Sequence, residues 1–373
     1  MVVNGLEEYI SVKCKHCVKS GPICPKPATS YVVDGRSFVT FIIRQTSWVF
    51  GGQWKEIKEI VEKFVLNILA EGCDVVFVMP HSESSPSSTE LQNIKMGLEF
   101  VSINKRLPAL DFFHNSPFAY FVFAQILRSC RVEVSCSISD FELEVSALAS
   151  RRKDCAGIIS NNNEFLAINT VPYCRLSSLD FAKHTIDTID RFALTKNIGL
   201  KVNHLPLLTC LMGNALITPD MLFHFHKKLH MGLKASGNNA VLDIMPRLAM
   251  YARPQTTHYN MLARVALNNE DKTKLLEKVI KRYSLSEVTE DWKPYQPVEE
   301  SQLAYNDRQV QNWCKWRPLL YNYFIFLINY ILHSNENQSI ITIPKDSIMI
   351  AQFRHNFVEI LYSFTRNKSF KSQ

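Results

Sequence analysis

The pattern of apolar and polar positions is clearest in the first half of the chain. Tyr31-Val32-Val33-Asp34 is a short β-branched run ending in an acid, and Asp74 to Met79 is nearly continuous in apolar residues. Runs of this kind predict strands buried on both faces. Between them, Trp54 to Ala70 sets Ile57, Ile60, Val61, Phe64, Val65 and Ile68 at helical spacing, with Lys55, Lys58, Glu59, Glu62 and Lys63 on the other side. Together these segments form a βαβ unit. The alternation continues with a helix over Pro117–Leu127, a strand over Val132–Ser135, a helix over Phe141–Ala149 and a strand over Ala156–Ile159. The predicted fold class is therefore α/β, a parallel sheet covered by helices, with ligands expected beyond the carboxyl ends of the strands.

Two segments interrupt this rhythm. Ser82 to Ser88 is a polar loop where a strand hands over to a helix, and Ser286 to Asn306 combines prolines and acids with little periodicity. A domain over residues 1–285, a linker over 286–306 and an α-helical C-terminal part over 307–373 follow. In that last part Asp307–Leu332 and Asp346–Thr365 read as helices rich in aromatic residues. Their Tyr321, Tyr323, Phe324, Phe326, Phe353, Phe357 and Tyr362 suit either core packing or a partner groove. The longest apolar run, Leu319 to Leu332, is broken by Asn322 and Asn329 and falls short of the roughly 18 residues of a spanning helix, so no membrane segment is expected.

Composition narrows the class. Of 373 residues, 46% are hydrophobic and 21% charged, enough apolar content for a large core and too little charge for general disorder. A net charge of +7 leans toward anionic partners without reaching the density of a dedicated nucleic-acid arm. Cysteines sit mostly in apolar stretches, as at Cys73, Cys130, Cys155 and Cys210, with no basic-then-apolar leader before them. Free thiols and an intracellular location, cytoplasmic or nuclear or both, are expected.

Several motifs in collinear order carry a family resemblance. Val3-Asn4-Gly5-Leu6-Glu7-Glu8-Tyr9-Ile10 resembles the start of the flap-endonuclease and XPG superfamily, whose domain is PIN-like. Together with Val33-Asp34-Gly35-Arg36, Phe50-Gly51-Gly52-Gln53-Trp54, Ser137 to Val145 and Leu211-Met212-Gly213-Asn214-Ala215-Leu216-Ile217, it resembles the constitutive coactivator of PPAR-gamma-like family, related to asteroid proteins. The resemblance runs over about residues 1–285 and, more faintly, around Arg317-Pro318-Leu319-Leu320-Tyr321. It implies a flap-endonuclease-like N-terminal domain.

Active nucleases of that kind hold paired Mg²⁺ or Mn²⁺ ions on a cluster of carboxylates. By resemblance, Asp34, Asp140, Glu142 and Glu164 stand at metal-binding positions, whereas Pro80, Asn162 and Ala215 replace acids. Asp140 and Glu142 also suit a helix start, where a cap and the helix dipole favour acids, so a purely structural role stays open for them. The resemblance and the three replacements lead to the expectation of a catalytically inactive protein, without metal or other cofactor, serving as an RNA-binding or protein-interaction scaffold in regulation of gene expression. A weakened Mg²⁺- or Mn²⁺-dependent nuclease using the remaining acids and a purely protein-binding adaptor are the alternatives. RNA would meet the basic clusters Arg151-Arg152-Lys153 and Lys227-Lys228, and a protein partner the basic surface or the C-terminal aromatic helices.

Lys272 to Arg282 adds a further basic helix, with Lys274, Lys278, Lys281 and Arg282 interleaved with Leu275, Leu276, Val279 and Ile280. It reads as packed on one side and wet on the other. Cys14-Lys15-His16-Cys17 with Cys24 has one zinc-like pair and no second, and among His224, His226 and His230 only the last two share a helical face. Neither is expected to bind metal.

Overall fold

The computed structural model describes residues 3, 5–46, 54–80, 117–137, 140–168, 170–214, 216–231, 240–253, 259–269, 272–283 and 285. The polar loop at 82–88, the segment 286–306 expected as a linker and the aromatic helices expected over 307–373 lie outside the described residues, as does Ala215.

Helix α1 (Leu6–Lys13) precedes strand β1 (Val18–Pro22) and strand β2 (Ser30–Asp34). Then come α2 (Gly35–Ile43), α3 (Trp54–Ala70), β3 (Asp74–Met79), α4 (Pro117–Ser129), β4 (Glu133–Cys136), α5 (Phe141–Arg151) and β5 (Cys155–Ser160). After short β6 (Tyr173–Arg175) and β7 (Thr185–Ile189) the chain is helical: α6 (Arg191–Ile198), α7 (Leu205–Met212), α8 (Phe223–His230), α9 (Ala240–Tyr251), α10 (Tyr259–Leu267) and α11 (Thr273–Arg282).

One seven-stranded sheet has the order β1-β7-β6-β5-β2-β3-β4. The run β6-β5-β2-β3-β4 is parallel, as the apolar strands predict. The all-parallel expectation needs correction at the opposite edge, where β7 pairs antiparallel with both β1 and β6. Those strands lack the apolar signature for a physical reason. In β7 only Ile186 and Ile189 are buried, and β1 is mostly exposed, so neither needs the continuous apolar run of a strand covered on both faces.

Both faces of the central strands are covered. On one side the Phe38 ring of α2 lies 4.9 Å from Phe64 of α3, 4.9 Å from Phe77 of β3 and 6.2 Å from Phe123 of α4. On the other, Val32, Val76, Val78 and Ile158 join one core with Leu6, Phe141, Val145, Leu194, Leu208 and Leu211. The helices after β7 extend this second core through Phe225, Leu248, Leu262 and Val279. Gly35 allows the tight handover from β2 to α2, because a Cβ there would collide with the Val78 carbonyl and the Met79 side chain. Asp34 is thereby held at the carboxyl end of the sheet, next to the end of β3.

Candidate functional site

Each of the four acids singled out in the sequence lies where a strand of the parallel run ends or the following helix begins. Asp34 closes β2 and caps α2: its Oδ1 accepts from the backbone N–H of Arg36 (2.9 Å) and Ser37 (3.1 Å), and its Oδ2 from the hydroxyls of Ser37 and Ser160 (both 2.6 Å). Asp140 caps α5, accepting from Leu143 N–H at 3.2 Å. Glu142 lies in the first turn of α5, and Glu164 in the short helical turn after β5. Capping by acids is what helix starts favour, and here it also aims the carboxylates inward.

Three of these acids converge on one cation from the last described helix. Arg282, at the end of α11, donates through Nε and Nη2 to both oxygens of Asp140, through Nη2 to Glu142 Oε2 at 2.9 Å and through Nη1 to Glu164 Oε1 at 2.9 Å. Tyr283 adds its hydroxyl to Glu164 Oε1 at 2.9 Å and accepts from Asn214 Nδ2 at 3.0 Å. From α2, Arg36 donates to Glu142 Oε1 at 3.1 Å while its guanidinium carbon sits 4.3 Å from the Phe141 ring centre. Asn162 links the two halves of the site, its N–H donating to Ser160 Oγ (2.8 Å) and its Nδ2 to Glu142 Oε1 (3.4 Å).

Most of the cluster is buried: the side chains of Glu142 and Glu164 are 3% and 1% exposed and that of Arg282 14%, while that of Asp140, at 28%, reaches solvent. Burial alone would raise the Glu142 pKa, but cationic neighbours, Arg36 foremost and Arg282 with it, hold it below the usual glutamate range. Glu164 goes the other way. Burial and then the negative Glu142 raise it, against the opposing pull of Arg282 and the Tyr283 hydrogen bond. Burial works against the charge on Arg282, yet Asp140, Glu164 and Glu142 together raise its pKa.

These residues do not fit a divalent ion. Mg²⁺ or Mn²⁺ needs several oxygen lone pairs directed at one point. Here those of Asp34 meet four donors, those of Asp140 and Glu142 meet Arg282 and their other partners, and Glu164 Oε1 meets Arg282 and Tyr283. Glu164 Oε2 is the buried carboxylate oxygen with no hydrogen-bond partner among the described residues. Pro80, directly after β3, offers no side-chain ligand, and Asn162 caps its own turn by accepting from Glu164 N–H at 3.1 Å.

Arg282 and Tyr283, with Arg36, are site residues that the sequence reading missed. Arg282 read as part of the wet basic face of its helix; the structure corrects this, since Lys274, Lys278 and Lys281 are exposed while Arg282 turns inward. A signal was present. Leu275, Val279 and Arg282 follow i, i+4, i+7, so the arginine lies beside the stripe that buries Leu276, Val279 and Tyr283.

The basic clusters lie elsewhere. Arg151-Arg152-Lys153 ends α5 and leads into β5, at the amino end of the strands, where Arg152 bonds Glu133 at 3.0 Å and Asp74 at 3.1 Å. Lys227 and Lys228 are exposed in the last turn of α8. Cys14 and Cys17 are fully buried, with Asn197 Nδ2 donating to Cys14 Sγ at 2.7 Å, and His226 Nε2 meets the Leu211 carbonyl at 2.8 Å. Among the described residues no three His, Cys, Asp or Glu side chains are grouped so as to hold a metal ion, and no helix is long and apolar enough to cross a membrane.

Comparison with known proteins bears on the same region. Residues 198–287 match the model of the FAM120A-like domain. The chain is 27% identical over 249 residues to the Homo sapiens constitutive coactivator of peroxisome proliferator-activated receptor gamma, covering 61% of this chain and 27% of that protein. With the Mus musculus protein of the same name it is 28% identical over 243 residues, covering 60% and 30%. The chain thus matches less than a third of the length of these relatives. Among solved structures, the catalytic core of Rad2 in complex with DNA substrate aligns with a TM-score of 0.48 and 12% identity, over 79% of this chain and 89% of that one. The resemblance to constitutive coactivators of PPAR gamma is therefore found by sequence comparison, and the matched FAM120A-like segment includes Arg282 and Tyr283.

Proposed function

We propose that this chain is a nuclease-fold protein without phosphodiesterase activity that serves as a protein-interaction scaffold in regulation of gene expression. The observation that carries the reading is Arg282. Its guanidinium stands among Asp140, Glu142 and Glu164 and uses the carboxylate oxygens that a catalytic metal would need. Pro80 and Asn162 support it by removing further ligands. The relatives are named as receptor coactivators, which favours a protein partner inside the cell, in nucleus or cytoplasm.

Calorimetric titration with Mn²⁺ and Mg²⁺, together with cleavage assays on RNA and flap DNA, tests the catalytic half. No tight site and no cleavage are expected; metal-dependent cleavage abolished by Asp34→Ala would overturn the proposal. A second reading, RNA binding, draws on exposed Lys227 and Lys228. Pull-down before and after RNase separates the two, since partners held directly survive the treatment. RNA contacts would also weaken steeply with salt.

A further inference from the structure

Far from the carboxylates, two chain segments cross at the amino ends of β2 and β3. The loop between β1 and β2 carries Cys24, and the turn between α3 and β3 carries Cys73. Their hydrogen bonds are reciprocal. Cys24 Sγ lies 3.1 Å from the Lys26 carbonyl of its own loop and 3.8 Å from the carbonyl of Gly72, the residue before Cys73, while Cys73 Sγ donates to the carbonyl of Ile23, the residue before Cys24, at 3.5 Å. Each sulfur therefore lies within reach of the backbone beside the other.

The crossing is held from several sides. Tyr31 hydroxyl donates to the Ile23 carbonyl at 2.6 Å, Ile23 N–H donates to His184 O at 3.0 Å, and Asp74 N–H donates to Thr29 O at 2.9 Å. Access differs between the two sulfurs: Cys24 is half-buried and Cys73 only 3% exposed. Burial, and next the neighbouring Cys24, push the Cys73 thiol up to about 12, so at neutral pH Cys73 carries its proton.

We propose that Cys24 and Cys73 form a peroxide-responsive thiol pair that closes to a reversible disulfide. The accessible Cys24 sulfur attacks one oxygen of hydrogen peroxide, the O–O bond breaks, and Cys24 becomes a sulfenic acid with release of water. Cys73 sulfur then displaces the hydroxyl from Cys24 Sγ, its thiol proton leaving with that hydroxyl as a second water. Two thiols are oxidised by two electrons and one peroxide is reduced to two waters. The new bond would tie the β1–β2 loop to the α3–β3 turn, beside the groove that Gly72 and Cys73 share with Arg152 and Lys153.

Other buried thiols provide an internal control. Cys14 and Cys17 also lie close together, but both are fully shielded from solvent, and Cys174 and Cys210 are buried as well. The test is to treat the reduced full chain with hydrogen peroxide, block the remaining thiols, digest without reductant and map the peptides by mass spectrometry. A Cys24–Cys73 linked peptide, lighter by two hydrogens and released by dithiothreitol, is expected, with Cys14 and Cys17 still reduced. In Cys73→Ser the sulfenic acid on Cys24 should accumulate and react with dimedone. In Cys24→Ser, Cys73 should remain a thiol. Recovery of both Cys24 and Cys73 as blocked thiols, or linkage of Cys24 only to other cysteines, would overturn the proposal.

Discussion

The two ends of the sheet handle charge in opposite ways. At the carboxyl ends of the strands, Glu142 and Glu164 are withdrawn from water and share Arg282 with the partly exposed Asp140, with Arg36 and Tyr283 completing the set. At the amino ends, Arg152 bridges Glu133 and Asp74 in reach of solvent, its side chain 26% and that of Asp74 65% exposed. Formally both are arginine–carboxylate networks. The difference lies in solvation: an exposed ion pair gains little over its hydrated parts, whereas a buried one commits every member, because removing one leaves the rest charged in a poor solvent. The acids at the carboxyl end thus have a structural use that needs no metal, namely to fasten α11 to the sheet.

The largest test of this contrast is Arg282→Ala. It takes the shared cation from three acids, two of them buried, and should cost about 3–5 kcal/mol of stability in urea unfolding, the range for breaking a buried ionic network. Arg282→Lys should recover only part, because an ammonium cannot reproduce the fork that reaches three carboxylates. If Arg282→Ala combined with Glu142→Gln and Glu164→Gln were as unstable as the sum of the separate losses, the view of these groups as one unit would fail.

Asp34→Ala should come next. Loss of an acceptor that satisfies two backbone N–H groups and two hydroxyls predicts about 2 kcal/mol, the scale of hydrogen bonds to a charged group. Asp34→Asn should lose less, since one amide oxygen still accepts at the cap. A urea midpoint for Asp34→Ala equal to wild type would remove the capping account.

A subtler probe is pH. Glu142 is depressed in the folded state, so its contribution is complete above the ordinary glutamate pKa and disappears as pH falls through the lower folded value. Glu164 is raised, so its share has the opposite sign: stability is lost as pH rises from the ordinary glutamate value through the folded one. Urea midpoints of Glu142→Gln should therefore decline less on acidification than those of wild type, and those of Glu164→Gln more. Matching pH profiles for the two variants would contradict the assignment.

The smallest effect belongs to the other end of the sheet. Arg152→Ala should change stability by less than about 1 kcal/mol and lose most of that effect in high salt, as exposed pairs do. A cost comparable with that of Arg282→Ala would erase the contrast.

How much of this was legible beforehand follows the range of the forces. Strands β2, β3, β4 and β5 and helices α3, α4 and α5 emerge within a residue or two from the apolar pattern, because strands covered on both faces read as continuous apolar runs and helices covered on one face repeat at 3.6 residues. The acids also follow: Asp34 and Asp140 occupy cap positions that local chemistry selects. The antiparallel edge of β1 and β7 did not, since half-exposed strands with Lys, Ser, Asp and Thr leave little apolar signal.

By itself, then, the sequence determined the βα layering and the placing of Asp34 at a strand end and of Asp140 and Glu142 at a helix start, since both depend on neighbours a few positions away; Glu164 came from the family resemblance. Tertiary structure alone decided what those acids meet. Arg282 is 118 residues along the chain from Glu164 and 142 from Asp140. No local rule separates it from the exposed lysines on its own helix. Only when α11 packs Leu276 and Val279, with Tyr283 just after it, does the guanidinium lose its water, and the buried Glu142 and Glu164, with Asp140 at the rim, are then its compensation.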